Sequence, residues 1–111
     1  MDTIRQQKVA SLIKRDTGEI LTHNAPQYLP GKMLTVTTVR VSPDLSFAKI
    51  YVSIFPSDDL KADINALKKH EKAVRGLLGK RVKNQLRIMP EIAFYVDDSQ
   101  DHAERIDELL K

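Results

Sequence analysis

The stretch MLTVTTVRVSPDLSFAKIYVSIF, Met33 to Phe55, decides the fold. MLTVTTVRV is dense in Val and Thr, whose branched Cβ atoms suit a pleated strand. Ser42-Pro43-Asp44 is turn chemistry: Pro43 presets φ, and the short Asp44 side chain bonds nearby backbone. FAKIYVSIF then alternates, with Ala48, Ile50, Val52 and Ile54 on one face and Phe47, Lys49, Tyr51 and Ser53 on the other. So short a connection between two such runs predicts an antiparallel hairpin.

Upstream, Asp2 is placed to cap a helix whose apolar positions Val9, Leu12, Ile13, Ile20 and Leu21 recur at helical spacing, with Gly18 weakening its middle. HNAPQYLPGK, His23 to Lys32, holds two prolines and a glycine and is expected to be the connecting loop. Downstream, Pro56 ends the second strand, and Ser57 or Asp58 caps the next helix. Leu60, Ile64, Leu67, Val74 and Leu78 keep helical phase, but Glu71 falls where that phase asks for an apolar residue. The segment is therefore one long helix or two joined at His70-Glu71-Lys72, with the pattern ending near Arg87, before Pro90. EIAFYVD reads as a third strand with Ile92, Phe94 and Val96 inward, and Ser99 caps a last helix that buries Ala103, Ile106 and Leu110. The expected order is α-β-β-α-α-β-α, an α+β fold in one domain spanning 1–111.

At 111 residues, 41% hydrophobic and 30% charged, the chain suits one globular core. No apolar run approaches the roughly 18 residues of a membrane span, and MDTIRQQKV lacks the apolar region of a signal peptide, so a cytoplasmic protein without membrane association is expected. The absence of cysteine removes disulfides, thiolate catalysis and cysteine-zinc sites. The net charge of +3 conceals a dipole: Lys68 to Arg87 holds eight Lys or Arg against Glu71 alone, while Glu91 to Lys111 holds seven acids against Arg105 and Lys111. The basic end suits a polyanion.

Within that basic run lies RGLLGKR, Arg75 to Arg81, whose GxxG spelling matches the loop with which some RNA-binding domains clamp a nucleic-acid backbone. A clamp needs its glycines in a loop with exposed middle residues. Leu77 and Leu78 instead join Val74, Val82 and Leu86 on the apolar face of a helix, so the spelling reads as helix interior. On the opposite side, Lys69, Lys72, Gly76, Lys80, Lys83 and Arg87 fall within a stripe of roughly 80°, about 27 Å long if the helix is continuous. Such a line of cations matches successive phosphates of an RNA strand, and Gly76 has no side chain to hold a backbone away. Arg75 and Arg81 flank the stripe as further RNA contacts, with a structural carboxylate as the alternative partner for Arg81, which lies nearer the core boundary.

Other constellations are weaker. Lys49 and Tyr51 point outward from the sheet, and Arg5, Lys8, Lys14 and Arg15 are interspersed with Asp2, Asp16 and Glu19. Asp97-Asp98 with Asp101 and His102 resembles a carboxylate metal site, yet adjacent carboxylates at a strand end face opposite ways and suit a helix N-terminus. His23, His70 and His102 lack zinc spacing, and no nucleophile elbow, phosphate loop or dinucleotide fingerprint is present. No catalytic residue, metal or cofactor is therefore expected.

VRVSPDLSFAKIYVS, the helical RGLLGKR, and MPEIAFYVDDS ahead of a short amphipathic helix together resemble the ribosome-binding factor A family of bacteria, over essentially the whole chain. The resemblance implies a KH-like fold of the second type, a three-stranded sheet packed by helices. It also implies a cytoplasmic assembly factor, without cofactor or metal, that binds the small (30S) ribosomal subunit and its 16S rRNA near the decoding region. Such a factor assists maturation of the rRNA 5′ end and is associated with growth in the cold. On that basis the expected RNA-binding residues are Lys69, Lys72, Arg75, Gly76, Lys80, Arg81, Lys83 and Arg87. The expected free state is a monomer with no small-molecule substrate. Members typically carry Ala-x-Gly at the joint of the two central helices, where this chain has His70-Glu71-Lys72, and many run on into a tail beyond the position of Lys111. Two other readings compete: a protein-interaction module using the hairpin edge or the acidic last helix, and a general single-strand binder, which the few aromatic residues disfavour.

Overall fold

The hairpin forms as its sequence dictates. In the computed structural model, which describes residues 3–97, β1 (Met33–Val41) and β2 (Phe47–Phe55) pair antiparallel from Met33 opposite Phe55 to Val41 opposite Ala48. A bulge at Thr37 shifts the register between Val36 and Thr38. The Thr37 hydroxyl donates to the Asp97 carboxylate and lies 3.3 Å from the Tyr51 carbonyl. At the turn, Leu45 adopts φ +63°, unusual for a branched residue, and several bonds over-determine it. Its N–H donates to the Ser42 carbonyl, and Asp44 Oδ1 accepts from the Ser42 hydroxyl (2.7 Å), the Ser46 hydroxyl (2.7 Å) and the Ser46 N–H (3.1 Å). Those bonds, Ser42 first, bring the Asp44 carboxyl down from 3.8 to about 2.

A third strand, β3 (Glu91–Val96), lies parallel to β2, so the sheet order is β1-β2-β3 with β2 in the middle. Ala48, Ile50, Val52 and Ile54 of β2 point into the core with Ile92 and Phe94 of β3, as their alternation predicts. Helix α1 (Ile4–Tyr28) covers that face together with α2 (Leu60–Lys68) and α3 (Glu71–Val82), through Ile13, Leu21, Leu67, Val74, Leu78 and Val82, all at most 1% exposed. The result is the expected α+β, KH-like arrangement in the order α-β-β-α-α-β. The predicted last helix, with Ser99, Ala103, Ile106 and Leu110, lies outside the described residues, as does Asp2.

Four boundaries depart from expectation. Helix α1 is capped by Thr3, whose hydroxyl accepts from the Gln6 N–H (3.1 Å) while Gln6 Oε1 accepts from the Thr3 N–H (2.9 Å). Gln6 Nε2 also donates to the Val41 carbonyl (2.9 Å), fastening the start of the helix to the end of β1. The helix does not stop at His23 but continues through Pro26. A proline inside a helix costs about 3 kcal/mol, whereas burying a large apolar side chain returns about 1.5–3 kcal/mol. Tyr28 and Leu29 are both buried by the continuation, with Ala25, which settles the balance in favour of helix. Helix α2 is capped one residue later than expected, by Asp59, whose Oδ1 accepts from the Ala62 N–H (3.1 Å). The Ser57 hydroxyl bonds Asp63 instead, and Asp63 pairs with Lys32 at 3.4 Å.

The fourth departure bears on function. The central helical pattern is two helices, broken at Lys69-His70, and the second ends at Val82, short of Arg87. At the break the His70 ring stacks on Tyr28, with centroids 4.3 Å apart and planes 18° from parallel. Glu71, the residue that interrupts the apolar seam, accepts the Phe94 N–H through Oε2 (2.7 Å). Phe94 sits on edge strand β3, so this N–H faces away from β2 and Glu71 supplies its partner. Glu71→Ala is expected to destabilise the protein by about 1.5–3 kcal/mol and Glu71→Gln by less, because a hydrogen bond to a charged acceptor is lost in one and a neutral acceptor kept in the other. Urea unfolding of the three proteins checks this; equal midpoints would exclude the strand-holding role.

Candidate nucleic-acid interface

Helix phase sorts the cations of α3. The buried residues Val74, Leu78 and Val82 define the inward direction, and Lys72, Gly76 and Lys80, spaced four apart, occupy the opposite side with Lys83 just past the helix end. Lys69 caps α2 across the break. Lys69, Lys72, Lys80, Lys83 and Arg87 are all exposed, and among the described residues none makes an ion pair or side-chain hydrogen bond. Helix α3 itself covers only about 18 Å, so the expected continuous stripe of 27 Å is corrected to a shorter row on α3 flanked by Lys69 before it and Lys83 after it. Arg87 leaves the row, because the chain turns away after Val82 through bonds from the Gln85 and Leu86 N–H groups to the Val82 carbonyl (2.8 and 2.9 Å).

The two flanking arginines serve the fold. Arg75 donates through Nε to the Pro90 carbonyl (3.0 Å) and through Nη2 to the Met89 carbonyl (3.1 Å), and lies 3.5 Å from Glu91. It thereby fixes the segment between α3 and β3. Arg81 donates to Glu19 on α1 and lies 3.5 Å from the buried Asp16, which is the alternative its position near the core boundary left open. The Glu19 carboxylate pushes the Arg81 guanidinium above its ordinary value. Both sites were expected among the RNA-binding set, and both have intramolecular partners.

Both glycines of RGLLGKR lie inside α3, so the GxxG is no loop. Leu78 is fully buried, but Leu77 is 38% exposed and flanks the cation row rather than joining the core. At Gly76 an added Cβ meets nothing within 4 Å, so no internal packing accounts for the glycine. On the outer sheet face, Lys49 and Tyr51 cluster with Tyr95 and Lys68: the tyrosine rings are 5.6 Å apart, and the two ammonium groups lie 5.8 and 5.1 Å from the Tyr95 ring. Tyr95 and Lys68 were not singled out from the sequence, although the alternation of EIAFYV places Tyr95 outward. Arg5 and Lys8 were set aside for their acidic neighbours, yet Asp16 and Glu19 are turned to Arg81, while Arg5 and Lys8 line a cavity with Arg87. Among the described residues no group of three His, Cys, Asp or Glu side chains stands together as a metal site, and Asp97 bonds Thr37.

These features define a small α+β domain of KH-like class whose α3 carries an exposed cationic face, without ion pairs among the described residues. The family described as Ribosome-binding factor A matches residues 5–110. Ribosome-binding factor A of Cytophaga hutchinsonii is 43% identical over 110 residues, covering 99% of this chain and 83% of that protein. The Chlorobaculum parvum protein of the same name is 41% identical, covering 98% and 90%. Among solved structures, the crystal structure of ribosome-binding factor A from Thermus thermophilus matches with a TM-score of 0.68 at 26% identity, over 82% of this chain and 94% of that one. A Thermus thermophilus ribosome-binding factor A homology model, fitted into a cryo-EM map of its complex with the 30S subunit, matches with a TM-score of 0.63 at 26% identity, over 80% and 91%. The chain belongs to the ribosome-binding factor A family.

The division of labour among the cations has a measurable consequence. Arg75→Ala removes a charged donor from two backbone carbonyls and, discounted for its partial exposure, is expected to cost about 1–2 kcal/mol. Lys72→Ala, on the free face, is expected to change stability by less than about 0.5 kcal/mol. Thermal unfolding of both variants distinguishes them, and equal midpoints would contradict the assignment.

Proposed function

We propose that the protein is a ribosome-assembly factor that binds the small ribosomal subunit and its 16S rRNA through the face formed by Lys69, Lys72, Gly76, Lys80 and Lys83. It acts in the cytoplasm, as a monomer when free, by binding rather than catalysis and without cofactor or metal. In this reading it assists late subunit maturation, including processing of the rRNA 5′ end, and supports growth in the cold. The observation that carries the reading is the row of exposed lysines that have no acidic partner among the described residues, on a chain of this family, a Thermus thermophilus member of which has been fitted into a 30S complex. Each lysine set against a phosphate releases a condensed counterion, so affinity falls steeply with salt. Gly76, with open space where a Cβ would stand, lets an RNA backbone approach the helix between Lys72 and Lys80.

Reversing Lys72, Lys80 and Lys83 to Glu is expected to weaken binding to purified small subunits by on the order of 100-fold and to lower the slope of log affinity against log salt by about 2. An unchanged affinity and slope would remove this face from the interface. Gly76→Ala separates binding from folding. It is expected to stabilise the helix by about 0.8–1 kcal/mol, raising the melting temperature, while weakening small-subunit binding. Stabilisation with undiminished binding would place the closest RNA approach elsewhere.

A further inference from the structure

The cavity at the N-terminal end of α1 has about 420 Å³ of volume and draws on three separate elements. Arg5, Lys8 and Val9 come from α1, Pro43, Asp44 and Leu45 from the β1–β2 turn, and Leu86, Arg87 and Ile88 from the segment after α3. The volume lies in the range of small-molecule sites, about 300–1,000 Å³. The walls are held in place. The Thr3–Gln6 capping pair and the bond from Gln6 to the Val41 carbonyl fix α1 against β1. The Ser42–Asp44–Ser46 network fixes the turn with Leu45 at its positive φ.

Apolar surface from Val9, Leu45 and Leu86 meets three cations here, and among the described residues Asp44 is the one carboxylate in the lining. Ile88 is left 66% exposed beside it. A flat apolar body carrying negative charge satisfies both halves of this lining. An inorganic anion leaves the apolar half unfilled, and an aliphatic side chain leaves the cations unmatched.

We propose that this cavity holds one unpaired RNA nucleotide, its base against Val9, Leu45 and Leu86 and its phosphate against Arg5, Lys8 and Arg87. The inference rests on the RNA-binding reading above and adds a base-accepting pocket to its phosphate-tracking face. Asp44 gives the pocket a preference. Its carboxylate only accepts hydrogen bonds, so it pairs with the exocyclic amine of cytosine or adenine and repels the corresponding carbonyl oxygen of uracil.

Titrating the isotopically labelled full chain with nucleoside 5′-monophosphates, followed by amide chemical shifts, tests this directly. Cytidine and adenosine monophosphates are expected to move the amides of Arg5, Lys8, Asp44, Leu45 and Leu86, with uridine monophosphate bound about fivefold more weakly, the worth of one net hydrogen bond. Asp44→Asn can still accept from Ser42 and Ser46 while presenting a donor to the base, and is expected to abolish or invert that preference. Lys8→Glu, an exposed substitution that leaves the core intact, is expected to weaken cytidine monophosphate binding by on the order of tenfold. Shifts confined to Lys72–Lys80, or equal shifts with inorganic phosphate alone, would overturn the proposal. Small-subunit binding by the triple lysine variant reports on the docking face, whereas the nucleotide titration reports on the cavity, so the two readings fail separately.

Discussion

The parallel pairing of β3 with β2 is the constraint on which the rest of this molecule depends. Antiparallel strands join through a turn of a few residues, but a strand laid parallel to its neighbour requires the chain to return the length of the sheet before it can start again. Here α2 and α3 make that return. They are obliged to bury Leu67, Val74, Leu78 and Val82 in the same core as Ile50, Val52 and Phe94, and that burial fixes which side of α3 faces outward. Glu71 closes the arrangement by giving the Phe94 N–H the acceptor that an edge strand lacks. The cationic face is thus a consequence of the sheet topology combined with the phase of one amphipathic helix.

Angular position on α3 then determines what each cation can do. Opposite the core, Lys72 and Lys80 have no acid within reach among the described residues; at the two core boundaries, Arg75 and Arg81 do. The residue types fit the positions. A guanidinium has a fixed fork of donors suited to two carbonyls or two carboxylates at once, as at Met89 with Pro90 and at Asp16 with Glu19. An ammonium on a flexible stem is better suited to a mobile, solvated phosphate. Arginine on the boundary and lysine on the crest is the distribution that folding and polyanion binding together favour.

Much of this was legible in the sequence where one local rule acted alone. The hairpin, its inward and outward residues and the third strand follow from periodicity and turn chemistry, whereas periodicity alone left one central helix or two open at Glu71. The departures arise where tertiary burial outweighs a local preference. Pro26 argues for a loop, but Tyr28 and Leu29 gain more by entering the core than the proline loses. The pattern from Val82 to Leu86 extends the helix on paper, yet Arg75 draws the following segment toward β3 through Met89 and Pro90. Leu77, three residues after the buried Val74, reads as core by spacing, but it stands at the edge of that face, about 100° from Leu78. Arg5 and Lys8 were hidden for a different reason: two of the acids that follow them in sequence, Asp16 and Glu19, are turned in space to Arg81.

That last point governs the electrostatics of the whole surface. The described acids are largely committed to the fold: Asp16 and Glu19 to Arg81, Asp59 to a helix cap, Asp63 to Lys32 and Ser57, Glu71 to a strand N–H, Glu91 to Arg75, Asp44 to two serines. A carboxylate whose field ends on a nearby guanidinium or N–H does little to cancel a lysine on another face, particularly beyond the screening length of about 8–10 Å. The modest net charge of +3 therefore understates the potential that an approaching polyanion meets. By using most of its described acids as internal fastenings, the fold keeps a basic crest on α3, which preserves steering toward RNA without the self-repulsion that a uniformly basic domain of this size would carry.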